Sequence, residues 1–192
     1  MFWWLFRFLF HSGKDMSREI NQNSLQPPFV ADNRIRLRRE DLEGLDTDEK
    51  FHAIADEVYN RHTKHDYIHS FSEPLRNLMF VLDMDGQVNN GGWDQYLFNA
   101  PGEHFEEAYR ALRAIGMKEY AAIMDRIRAL FPGKRVPKDT GQRRRLLDKI
   151  YTDSADPDLM VEQWNQWDDH YYDLQDRFRK KVVEYAERHW LE

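Results

Sequence analysis

Gln87-Val-Asn-Asn-Gly-Gly-Trp-Asp-Gln-Tyr-Leu-Phe98 decides how this chain is read. Asn and Gly tolerate left-handed backbone, so Asn89, Asn90, Gly91 and Gly92 predict a helix stop followed at once by a restart. The Asn side chains are expected to bond backbone groups freed at that turn. Trp93, Tyr96 and Leu97 then fall three and four residues apart and share one face of the second helix. The polar remainder, Gln95 with Asn89 and Asn90, lines a binding pocket on the alternative reading.

Working outward, the same helical spacing recurs. Leu75, Leu78, Met79 and Leu82 follow Ser72-Glu73-Pro74, a helix start with proline in its first turn. Phe51, Ile54, Ala55, Val58 and Tyr59 predict an earlier helix from about residue 47. Phe105 to Ile115, closed by Gly116, and Tyr120 to Phe131, closed by Pro132-Gly133, predict an antiparallel helical hairpin. A basic helix is expected over 140–151, with Arg143-Arg144-Arg145 facing an acidic block in the fold or across a dimer. Asp156-Pro157 reads as an N-cap, and Trp164, Trp167, Tyr171, Leu174, Phe178, Val182 and Tyr185 continue as one seam. The expected fold is all-α, a single-domain multi-helix bundle with a long C-terminal helix. Residues 34–192 form the domain, and residues 1–33 form an apolar N-terminal arm and polar linker.

Met84 to Asn99 resembles the signature of the bacterial DNA-mimic protein family, in which a Val-Asn-Asn-Gly-Gly turn leads into an aromatic-rich helix with a Gln-Tyr pair. The hairpin through Phe131-Pro132 is similar in layout, and the likeness extends over roughly residues 45–190. It implies a cytoplasmic, non-enzymatic acidic protein, with no cofactor, that sequesters a basic DNA-binding protein such as a transcriptional regulator. Direct nucleic-acid contact is not implied.

Charge distribution indicates where such a surface would lie. The formal net charge is −6, yet residues 40–57 hold eight acidic residues against Lys50 alone, and residues 153–176 hold eight with no Lys or Arg. The rest of the chain is therefore basic. A DNA mimic needs carboxylates spaced on a firm scaffold, because DNA-binding proteins contact phosphate through Lys and Arg. With Trp164, Tyr171 and Phe178 on the seam, Glu162, Asp169 and Asp176 share the opposite face, Asp173 lies beside them and Asp168 on the flank. Asp48, Glu49 and Asp56 join them if their helix runs alongside. The plainer account of such a run is a solvated face.

Two alternatives compete. An immunity or antitoxin protein would present the same carboxylates to a basic nuclease toxin. A metal-dependent enzyme would use His62, His65 and His69 with Asp66, since positions 65 and 69 share a helix face, but the paired Glu of a zinc hydrolase is missing. Asp83-Met-Asp85-Gly86 does not make a calcium loop, because its Gly comes too early. The chain has no cysteine, which excludes disulfides and thiolate chemistry. The aromatic run Met1–Phe10 is too short for a bilayer span of roughly 20 residues. It is expected to be a buried arm, an interfacial contact, or sequence upstream of a start at Met16.

Overall fold

In the computed structural model the described residues are 36–60 and 65–191. Arg34, the aromatic run, the polar stretch 12–33 and His62 lie outside them. α1 (Thr47–Tyr59) starts at Asp46, whose side chain accepts the Glu49 N–H while Glu49 accepts the Asp46 N–H, both at 2.9 Å. This reciprocal cap satisfies two of the helix's unpaired donors. Phe51, Ile54, Ala55 and Val58 form its buried stripe.

α2 (Glu73–Phe98) is the centre of the bundle and touches α1, α3, α5, α6 and α7. Leu75, Leu78, Phe80, Val81, Leu82, Met84 and Val88 are all buried, so the helix is apolar around most of its circumference. The predicted stop and restart is there. Gly91 (φ −175°, ψ 27°) and Gly92 (φ 79°, ψ −179°) leave helical geometry inside α2, and Trp93, Tyr96 and Leu97 beyond them are buried together.

The predicted hairpin is α3 (Phe105–Ala114) packed on α4 (Lys118–Ala129). Gly116 (φ 86°) closes α3, with Met117 N–H donating to Leu112 O at 2.8 Å and Gly116 N–H to Arg113 O at 3.2 Å. That pairing and the buried Met117 and Leu112 make a Schellman stop. α5 (Thr140–Thr152) follows, capped by the Asp139 side chain.

The C-terminal seam is not one helix. It is α6 (Pro157–Tyr172), capped by Asp156 as expected, and α7 (Gln175–His189). The Tyr120 hydroxyl donates to Tyr171 O at 2.9 Å, and Leu174 N–H takes the same carbonyl at 3.1 Å. A side chain thus enters the helix ladder at the carbonyl that would carry it forward. Trp164, Tyr171, Phe178 and Val182 stay buried on both sides of the break. α7 packs along α1, while α6 lies against α2 and α5. Among the described residues there is no strand, and no helix is long and apolar enough to cross a membrane.

The basic helix departs from expectation. Arg143 is fully buried and does not meet an acidic block. Its guanidinium donates to the carbonyls of Leu97 (2.5 Å), Asn99 (2.7 Å), Lys138 (2.8 Å) and Pro137 (3.0 Å). Arg144 bonds Phe98 O at 2.7 Å and lies over the Phe98 ring. The two arginines cap the C-terminus of α2, where orphan carbonyls and the helix dipole favour cations.

Candidate partner-binding face

α6 is held by its buried side and presents a wide arc to solvent. Beside the buried Trp164 and Trp167, part of the fastening is polar. Tyr171 donates from its hydroxyl to the buried Asp85 carboxylate on α2, and Gln175 reaches the same oxygen at 3.3 Å and the Tyr120 hydroxyl at 3.3 Å. Asn89 donates to the Tyr171 hydroxyl at 3.5 Å. The expectation that the motif's asparagines bond backbone is therefore corrected for Asn89, which is drawn to a side chain from α6. Burial pushes the Asp85 carboxyl above its ordinary value, against the hydrogen bonds that favour its charged form.

Asp168 is placed differently from the other acidic residues of α6. Its carboxylate turns toward α2 and accepts the Trp93 N–H at 2.9 Å, supplying the cap for the restarted half of α2. Gly92 permits the approach, because a Cβ there would run into the Asp168 carboxylate. Burial, and then the nearby charges of Asp94 and Asp169, raise the Asp168 carboxyl from 3.8 to about 6. A carboxyl that binds its proton more tightly folded than unfolded adds stability as pH falls through that window and loses it as pH rises through 6. Asp168→Asn keeps an acceptor oxygen for Trp93 and removes the charge. Its thermal midpoint is expected to equal or exceed the parent's at neutral pH and to lose the parent's gain near pH 5. An equal gain in both proteins would assign the response to another carboxyl, Asp85 first.

The outward arc of α6 carries Asp158, Glu162, Asp169 and Asp173, all exposed. Their steps of four, seven and four residues keep them on one row, about 23 Å long at a rise of about 1.5 Å per residue. Among the described residues none of the four is paired with Lys or Arg; Glu162 accepts a 3.4 Å bond from Gln166. Asp158 sits in the first turn of α6, and Asp173 and Asp176 flank the start of α7, where negative charge offsets the helix dipole. Glu162 and Asp169 have no such role. Asp176 is exposed, but belongs to α7, beyond the break.

Most of the first acidic block is spent within the fold. Glu49 completes the α1 cap, Asp48 pairs with Arg179 of α7 at 3.0 Å, and Glu57 accepts the Arg36 N–H at 2.9 Å. Asp56 is exposed on α1. Because α1 lies along α7, Asp48, Glu49 and Asp56 do not extend the α6 row. The Asp46-Thr-Asp-Glu49 pattern signals this capping role in the sequence.

His65 lies in the short 3-10 helix His65–Ser70, and the His69 ring stands 6.4 Å from both Phe80 and His104. No group of three residues suited to a metal ion occurs among the described residues. The model of a family described as DMP19-like protein matches residues 69–189, well over half of the chain. No curated protein and no solved structure matches.

Proposed function

We propose that this chain, which belongs to the DMP19-like family, is a DNA mimic that captures a basic DNA-binding protein on the exposed face of α6. The observation that carries this reading is the contrast between the two acidic blocks. Residues 40–57 use most of their carboxylates in caps and ion pairs, whereas among the described residues Glu162, in the middle of α6, and Asp169, in its last turn, face no Lys or Arg. Like charges held close along one helix face cost a few tenths of a kcal/mol each and are normally relieved by interspersed cations. A bound basic surface provides the missing relief.

The row is sparse compared with DNA. Four carboxylates over about 23 Å amount to one per 7 to 8 Å, against roughly one phosphate per 3.4 Å of each strand. The row also lacks the condensed counterions of a duplex. Partner binding here is therefore expected to fall less steeply with salt than the partner's binding to DNA, which drops about 10³- to 10⁵-fold between 50 and 200 mM for six to ten phosphate contacts. Competition would improve as ionic strength rises.

The test is charge reversal at the two carboxylates without a capping role. Glu162→Lys with Asp169→Lys is expected to keep the helical circular-dichroism spectrum and to weaken capture of a basic DNA-binding partner by at least about tenfold. Unchanged capture by the folded variant would remove α6 from the interface. A transcriptional regulator and a nuclease are both partners of this chemistry, and identification of the captured protein by mass spectrometry distinguishes them.

A further inference from the structure

Five large apolar residues are exposed among the described ones, and three of them, Leu159 (60%), Val161 (49%) and Tyr172 (43%), are on α6. The other two lie on α1 and at the end of α2, away from this face. Tyr59 donates to Leu82 O at 2.9 Å, and Phe98 lies beneath the Arg144 guanidinium, 4.2 Å from ring centroid to cation. Val161 and Tyr172 are eleven residues apart, three helical turns, so they fall on one line, with Asn165 and Asp168 between them. That line borders the carboxylate row. Leu159 lies on the row's other side.

We propose that α6 docks a basic amphipathic α-helix of the partner, with apolar side chains of that helix resting on Val161 and Tyr172 and its cations on Glu162 and Asp169. The inference rests on the reading of α6 as the partner face and adds what a phosphate backbone lacks, an apolar contact. Charge complementarity selects the occupant. A helix seated on Val161 has unpaired carboxylates directly beside it, so an acidic or neutral segment would be excluded by repulsion or desolvation. Tyr172 is already oriented, because its hydroxyl donates to Val88 O at 3.1 Å, and a ring fixed before binding loses little freedom on contact.

The probes are two helical peptides of equal positive charge. One has leucines three turns apart beside a row of arginines; its twin has glutamine at both leucine positions. Fluorescence anisotropy with the full chain is expected to show the leucine peptide binding about tenfold more tightly, with the ratio maintained when salt rises from about 0.15 to 0.5 M. Val161→Gln should reduce the ratio to near unity, while Leu159→Gln should leave it unchanged. Glu162→Lys with Asp169→Lys should weaken both peptides alike. Equal binding of the two peptides to the parent chain would overturn the apolar row, as would a Leu159→Gln effect as large as that of Val161→Gln. Insensitivity of both peptides to the charge reversal would instead overturn the assignment of the face.

Discussion

Exchanging Arg143 for methionine is expected to lower the unfolding free energy by about 3 to 5 kcal/mol, read as a shift of the urea midpoint at unchanged slope. Methionine retains much of the buried stem but no donor, so the carbonyls of Leu97, Asn99, Pro137 and Lys138 lose their shared partner, that of Leu97 in a fully buried position. Lysine is a poor replacement, since a compact ammonium does not present the guanidinium's fixed fork. Gly102 restricts the site further. A Cβ there would come within 2.6 Å of Tyr96 O and 2.9 Å of Arg143 Nε. Arg144→Met is the comparison, with an expected cost below about 1 kcal/mol, because its bond and ring contact are partly open to solvent. Equal midpoints for the two variants would contradict the capping account.

Gly92→Ala should cost about 2 to 4 kcal/mol by the same measurement. At φ 79° and ψ −179° Gly92 occupies a region essentially closed to residues with a Cβ, and the added methyl would push Asp168 from the Trp93 N–H. The loss is therefore twofold, backbone strain and an uncapped helix start. Gly91→Ala separates the causes. Its φ of −175° is ordinary, and its methyl meets the movable Gln95 side chain, so a cost within about 1 kcal/mol is expected. If both glycines tolerate alanine equally, the close approach of Asp168 is not what fixes the residue.

Periodicity made most of the helices legible. The apolar steps in α1, α3 and α4, and the Asp156-Pro157 start of α6, report local geometry that needs no partner to be recognised. The break between α6 and α7 left no such trace. The seam from Trp164 to Val182 stays buried across it, and the interruption comes from the Tyr120 hydroxyl, far away in sequence. Arg143 was illegible for a related reason. Three consecutive arginines read as an acid-facing patch, whereas the burial of the first is set by the end of a helix 46 residues earlier. Asp85 did carry a signal. It follows Leu78 and Leu82 at helical spacing on the buried side of α2, where an aspartate requires a polar partner.

The acidic face was half legible. Composition marked both blocks, and the seam oriented Glu162 and Asp169 outward. What composition does not encode is which carboxylates are already committed. Asp48 needed Arg179, and Asp168 needed the Trp93 N–H, both supplied by packing. The exposed Val161–Tyr172 line also emerged only once α6 was seated, since an apolar residue in a helix sequence is first assigned to the core.

The two ends of the restarted half of α2 set an order of events for the growing chain. A helix as short as Trp93–Phe98 does not nucleate alone. Its cap at the start comes from Asp168, 75 residues further on, and its guanidinium clamp at the end from Arg143, 46 residues further on. As the polypeptide is synthesised, this stretch leaves the ribosome before either charge exists, with Trp93, Tyr96 and Leu97 still uncovered. Its helical form therefore waits on both, and a chaperone that binds exposed aromatic residues has an opportunity here until they arrive.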